Sequence, residues 1–323
     1  MKGKPLVVRC ALASLILLCG PLCGQENTSP KTPSSDDSQA KPLRLKNHEP
    51  TFLGYTKDSD DERFMDVTIS LQHPIFADFL KEGRNRFHLL PYFAATVRFG
   101  QYIGTRDSSP VVTKRFNPKI FLRYTPEHFP ERGESPDNYV DFEYAHESNG
   151  QSVNSLSNFQ TMAQAVGGTE HAKDYISRGW DYLGITAKQR LNTNDSEKVH
   201  LYISRKWYCG CWLQQNVEEK FDFEDPREIR SIRQVSGWRG LLKFDSNSKS
   251  TLVDRAALIL DTGTRDTFKY NTARLEIGVQ PFRRFFGVPV VLWGQAGYLS
   301  DLAQYYKKVH SFGVAFVFET FGK

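Results

Sequence analysis

From Asp66 onward the chain is a succession of segments about ten residues long, rich in Val, Ile, Phe, Tyr, Trp and Thr. Each is bounded by charged residues or by Gly, Asn, Asp and Pro. Strands are predicted near Asp66 to Gln72, Phe87 to Phe99, Lys119 to Tyr124, Tyr139 to Glu147, Trp180 to Leu191, Val199 to Tyr208 and Trp238 to Phe244. Four more follow near Leu252 to Asp261, Thr272 to Gln280, Val288 to Gly297 and Ser311 to Thr320. Several alternate with period two: Val199, Leu201 and Ile203 fall on one face, His200, Tyr202 and Ser204 on the other. In the ninth segment Ala273, Leu275, Ile277 and Val279 oppose Arg274, Glu276, Gly278 and Gln280. Charges at strand centres are costly inside a soluble sandwich but suit a polar barrel lumen whose other face meets lipid. Helical periodicity is scarce, and no stretch after the first two dozen residues reaches the eighteen or so apolar residues of a membrane helix.

The N-terminus changes this picture by adding export. Residues 1–24 read as a signal peptide: Lys2, Lys4 and Arg9 precede the apolar core Ala11 to Leu18, which is too short to span a bilayer. A lipoprotein acylated at Cys23 is the alternative. Residues 25–50, dominated by Ser, Pro, Lys, Asp and Asn, read as a disordered leader, so the folded unit is expected over 51–323. An exported chain with alternating strands points to an all-β fold, a transmembrane antiparallel β-barrel in the bacterial outer membrane. A secreted soluble β-protein shares the regular strands but not the charged strand centres.

Charge and cysteine add little. Of 42 Lys and Arg against 37 Asp and Glu, three basic residues lie in the signal segment, leaving the rest near neutral and without a basic patch for nucleic acid. Cys209 and Cys211 are the only cysteines beyond it. So short a disulfide loop would be strained, and the pair reads first as two small apolar fillers on a strand, with a metal or redox site as the alternative.

The chemistry concentrates at His146-Glu147-Ser148-Asn149-Gly150-Gln151. Positions i and i+2 of a strand share a face with Cα atoms roughly 7 Å apart, so the His146 imidazole can reach toward the Ser148 hydroxyl, a base beside a nucleophile. Phe142 and Tyr144 lie on the same face, Asp141 and Glu143 on the opposite one. The backbone N–H groups of Ser148 and Gly150 are candidate oxyanion donors.

The run from His146 to Ser152 resembles the outer-membrane phospholipase A family, whose signature is His-x-Ser-Asn-Gly, then Arg or Gln, then Ser. The resemblance extends to Val67–Phe76, similar to the family's first barrel strand, and to Ser108-Ser109-Pro110 with Phe116–Leu122 behind it. Ser177-Arg178-Gly179-Trp180-Asp181 resembles the family's Ser-Arg-x-Trp-Asn, and Gln295–Tyr298 and Phe312–Phe316 resemble its last two strands. It implies twelve strands, one more than the pattern gives; the missing strand is expected between Asn247 and Gln280 or near Trp207 to Val217. It also implies a dimeric, calcium-dependent hydrolase of acyl ester bonds in membrane phospholipids, with Ser148 as nucleophile, His146 as base and Asp181 as third member. Calcium would be held by the Gln151 carbonyl, the Ser177 hydroxyl and Ser108 of the second subunit, oxygen donors without a carboxylate. Ser108 and Ser177 also read as ordinary polar loop residues. A triad with a carboxylate on the lipid side belongs at headgroup depth, near the barrel rim.

Two features depart from the family pattern. Residues Val153 to Ile176 intervene between the motifs as an enlarged loop, and Asp181 stands where Asn is usual. Asn158, inside that loop, is the rival third member. A non-enzymatic outer-membrane barrel, porin or structural, with a degenerate site is the alternative function, and a soluble secreted esterase a third.

Overall fold

The computed structural model describes residues 45–75, 88–126, 136–192, 194, 196–210, 221, 223–224, 228–248 and 251–318. The expected signal peptide lies outside the described residues, as do most of the expected leader and Cys211. Twelve strands close into one antiparallel barrel, each hydrogen-bonded to its neighbours in sequence, with the last returning to the first. They are β1 (Thr51–Asp58), β2 (Arg63–Pro74), β3 (Leu89–Tyr102), β4 (Val111–Tyr124), β5 (Tyr139–Ser148), β6 (Gly179–Arg190), β7 (Glu197–Cys209), β8 (Gly237–Ser246), β9 (Val253–Gly263), β10 (Thr272–Val279), β11 (Val290–Gly297) and β12 (Val309–Phe318).

The strand that the pattern missed is β1, not a segment in the second half of the chain, and Val67–Phe76 therefore begins in the second barrel strand, not the first. Only Leu53 and Tyr55 of β1 form an outward apolar pair, and Phe52 breaks the alternation. Its place is decided by pairing on both sides, Phe52 with Thr68 of β2 and Thr51 with Phe318 of β12. Glycine makes that seam possible. A Cβ on Gly54 would lie 2.7 Å from the Val314 carbonyl, and one on Gly313 would lie 2.3 Å from that of Tyr55.

Period-two alternation sorts every strand into an outer and an inner row. Phe142, Leu183, Ile203, Leu260, Leu275 and Phe312 are exposed on the outer wall, where lipid replaces water. The inner row is polar and paired: Arg123 donates two 2.7 Å hydrogen bonds to Asp141, Arg98 donates from Nε to Asp66 at 3.0 Å, and Lys119 lies 3.1 Å from Glu143. Charges withdrawn from water are tolerable only with such partners; removing one partner of a buried pair typically costs about 3–5 kcal/mol.

Residues 45–50 and a packed side-chain cluster occupy opposite ends of the lumen. Residues 45–50 are tied to the barrel interior: Lys46 and Gln72 exchange backbone hydrogen bonds of 3.1 and 2.6 Å, Glu49 N–H donates to the Ser70 hydroxyl at 2.9 Å, and the His48 ring lies 5.3 Å from that of Phe121. At the other end the inward rings Trp180, Tyr182 and Tyr208 pack against Ile229, Ile232 and Val235 from the β7–β8 connection and Leu302 and Tyr305 from the β11–β12 connection. Trp180 and Tyr305 meet edge to face at 5.5 Å.

The expected enlarged loop is helical. α1 (Leu156–Ala165) begins at Ser155, whose hydroxyl accepts the Asn158 N–H, and α2 (Thr169–Ala172) follows two glycines. Phe159, Ala172, Ile176 and Val153 form its small core, joined by Phe221 and Phe223. The apolar positions of α1, Leu156, Phe159, Met162 and Ala163, do have helical spacing, but a single run this short is a weak signal in a chain of strands. The two longest connections, residues 149–178 and 210–236, leave the same end, and those at the other end, 75–88, 125–138, 191–196, 247–252 and 280–289, are all shorter. In outer-membrane barrels long loops face outward and short turns face the periplasm.

Candidate active site

The β5–β6 register brings the two halves of the site together. His146 lies opposite Asp181 and Ser148 opposite Gly179. His146 Nδ1 is 2.8 Å from Asp181 Oδ1, and the Asp181 side chain has no exposed surface, whereas the imidazole is 19% exposed. An ionised carboxylate only accepts, so Nδ1 is the donor to Asp181, and in the neutral ring Nε2 is the nitrogen that can accept a proton. Ser148 ends β5 on the same outward row, two residues from His146. Opposite them Gly179 leaves an empty position: a Cβ there would lie 3.4 Å from both His146 Cε1 and Ser148 Cβ and 3.6 Å from His146 Nε2. Imidazole and serine thus border one small gap at the outer rim.

The rival Asn158 is not part of this group. It is exposed on α1, where its N–H donates to Ser155 and its Nδ2 to Asn154.

Behind the outward pair, the lumen side holds the strand in place. Glu147, between His146 and Ser148 in sequence but pointing inward, lies 2.8 Å from Arg115 Nε and accepts from Lys206 Nζ at 2.6 Å. The His146 carbonyl accepts from Asn117 Nδ2 at 2.9 Å, and Asn117 Oδ1 from the Tyr182 hydroxyl at 3.2 Å. Sequence reasoning gave these residues no role, since lumen partners from β4 and β7 leave no local signal in the motif.

Asn149 is the most consequential omission. It is fully buried, and it clamps the two motifs: Nδ2 donates to the Ile176 carbonyl at 2.7 Å, and Oδ1 accepts from the N–H groups of Arg178 at 2.9 Å and Gln151 at 3.3 Å. The next residue, Gly150, turns the chain at φ +63, a left-handed conformation that favours glycine. Its place in the motif was the available signal. Arg178 is likewise buried, donating to the Ala303 carbonyl at 3.3 Å and pairing with Glu224, so it stitches the insertion to the barrel plug.

Of the three expected calcium positions, two are neighbours. Val153 N–H donates to the Tyr175 carbonyl at 3.0 Å and Ser177 N–H to the Val153 carbonyl at 2.8 Å, so the segment carrying Gln151 runs beside that carrying Ser177. Ser108 stands apart in the β3–β4 connection at the same barrel end, exposed and at φ +59. Among the described residues no three His, Cys, Asp or Glu side chains converge as a metal site, so a cation here would rely on neutral oxygens. These suit calcium rather than a softer metal. Cys209 is disulfide-bonded, which replaces the reading of it as an apolar filler; its partner lies outside the described residues.

Among solved structures the chain resembles an active-site mutant of outer membrane phospholipase A from Escherichia coli, with a TM-score of 0.57 at 14% identity over 88% of this chain and 95% of that one. The fold is that of outer-membrane phospholipase A. The Salmonella typhi outer membrane phospholipase, a dimer with bound calcium, aligns with a TM-score of 0.57 at 15% identity over 87% of this chain and 95% of its own. Another structure of outer membrane phospholipase A from Escherichia coli gives 0.54 at 15% identity over 86% of this chain and 99% of its own. No family model and no curated protein matches this chain in sequence. The closed twelve-stranded architecture and these neighbours place the protein in the bacterial outer membrane as a multi-strand barrel.

Proposed function

We propose that this protein is a calcium-dependent phospholipase A of the outer membrane, a member of the family its motifs resemble. The observation that carries the reading is the 2.8 Å His146–Asp181 hydrogen bond on the same outward row as Ser148, at the rim of a lipid-facing wall. Ester bonds of bilayer phospholipids lie at that depth, where polar groups on the wall are also least costly.

In this mechanism Ser148 Oγ attacks the acyl carbon while His146 Nε2 takes its proton, and the imidazolium returns that proton to the leaving lysophospholipid oxygen. Water then attacks the acyl-serine, again deprotonated by His146, and releases the fatty acid. Asp181 holds the tautomer and stabilises the imidazolium. The backbone N–H groups of Ser148 and Gly150 are the donors assigned to the oxyanion. Gln151 through its carbonyl and Ser177 through its hydroxyl would hold calcium, completed by Ser108 of a second copy in a homodimer. Bound there, calcium supplies positive charge beside the oxyanion.

The packed cluster that includes Trp180, Tyr305 and Leu302, at the barrel end that carries the site, weighs against the porin alternative. The deciding experiment combines hydrolysis with labelling. Ser148 should react with a sulfonyl fluoride, and Ser148→Ala and His146→Ala should each lower fatty-acid release by at least roughly a thousandfold, in keeping with triad losses, while heat-modifiable gel mobility stays that of a folded barrel. Folded Ser148→Ala with substantial activity would remove the assignment. Single-channel conductance in planar bilayers without hydrolysis would favour the porin.

A further inference from the structure

The β10–β11 connection is a short helix, α3 (Gln280–Phe286), with sequence Gln-Pro-Phe-Arg-Arg-Phe-Phe. Pro281 suits its first turn, and Gly287, at φ +73, ends it with an N–H donated to the Arg283 carbonyl at 2.9 Å. Phe282, Phe285 and Phe286 have helical spacing i, i+3, i+4 and form one stripe. None is buried, and Phe285 is 83% exposed. Three rings on seven residues are a heavy apolar load for a turn facing water.

The stripe is continuous with the lipid-facing wall. Phe286 packs edge to face on Phe316 at 5.5 Å, and Phe285 on Phe286 at 4.9 Å. Phe316 belongs to the outward row of β12 with Phe312, Val314 and Phe318, all exposed, and it pairs with Val290 at the start of β11. α3 therefore lies against the outside of the barrel at the end away from the two longest connections, opposite the candidate site. Arg283, 3.5 Å from Asp254 yet 42% exposed, and Arg284 lie off the aromatic stripe, both in the last turn.

We propose that α3 is an interfacial anchor: Phe282 and Phe285 insert into the periplasmic phospholipid leaflet, with Arg283 and Arg284 at the depth of the lipid phosphates. Aromatic rings on one face with arginines beside them are the combination that seats short segments at a headgroup boundary. Continuity with the wall through Phe316 favours lipid over a soluble partner. The proposal is independent of the catalytic reading.

Nitroxide labels at Phe285→Cys and, separately, Phe282→Cys would test it in vesicles of phosphatidylethanolamine and phosphatidylglycerol, with folding verified by heat-modifiable mobility. Leu275→Cys, on the lipid-facing row of β10, and Glu170→Cys, on α2, bracket the scale; Glu170 has a 74% exposed side chain. Both α3 labels should collide with oxygen severalfold more than with a water-soluble nickel chelate, as Leu275→Cys does. Nickel accessibility matching Glu170→Cys would overturn the anchor, and so would exclusion of both reagents, which would report a protein or second copy covering the helix.

Discussion

Gly179 stands directly across the β5–β6 ladder from Ser148, and its missing side chain leaves the gap that His146 and Ser148 border. A Cβ at 3.4 Å from both is ordinary contact, so Gly179→Ala should fold and keep activity within about tenfold, an effect of about 1.4 kcal/mol. A β-branched residue would project carbon over the hydroxyl and imidazole. Gly179→Val should therefore lose far more in kcat/KM for phospholipid than Gly179→Ala, without loss of barrel mobility on gels. Equal activity in the two variants would mean that the acyl group approaches from elsewhere.

The identity of the third member can be tested on one histidine. Asn accepts the Nδ1–H through its amide oxygen, so Asp181→Asn should retain a sizeable fraction of activity, losing about 1–2 kcal/mol of charge assistance. Asp181→Ala should lose more, because nothing then fixes the ring. Asn158→Ala, exposed on α1, should be silent in the same hydrolysis assay. Damage from Asn158→Ala with a silent Asp181→Ala would reverse the assignment.

Calcium dependence follows from the proposed ligands. A chelator should abolish hydrolysis, and Ser177→Ala should raise the calcium concentration at half-maximal activity by about an order of magnitude, since it deletes one direct oxygen ligand. Calcium should also shift the monomer–dimer balance in detergent toward dimer, measured by sedimentation. Unchanged activity in chelator would refute the metal while leaving the triad standing.

The plug has its own pH signature. Asp301 lies in the β11–β12 connection, accepts the Ala303 N–H at 2.7 Å, and faces Lys114, Asp174 and Arg98; burial pushes its carboxyl up to about 6. A folded-state value above the ordinary one of 3.8 means that the folded form holds the proton more tightly. Its stabilising contribution is thus complete below about pH 4 and lost as pH rises through about 6. Hydrogen-exchange protection of residues 298–308, corrected for intrinsic rates, should fall on the order of tenfold or more between pH 4 and 7. Asp301→Asn should flatten that dependence; an unchanged slope would place the titrating group elsewhere.

Much of this protein was legible in its residues because two of its patterns are local. The alternation in Ala273–Val279 or Val199–Ser204 depends only on the period of a strand, and it marks both the lipid face and the charged lumen. His146 and Ser148, two apart on β5, needed no fold to be placed on one face of a strand. What tertiary structure alone decided are the relations between distant segments. β1 is a strand because β2 and β12 pair with it and because Gly54 and Gly313 admit close backbones, neither of which its own weak alternation reveals. Asp181 rather than Asn158 meets His146 because the β5–β6 register sets them opposite, while the intervening residues fold away as a capped helix. The roles of Asn149, Asn117 and Glu147 emerge only when Ile176, Tyr182, Arg115 and Lys206 arrive beside them, since a buried polar group is defined by partners that the chain supplies from elsewhere.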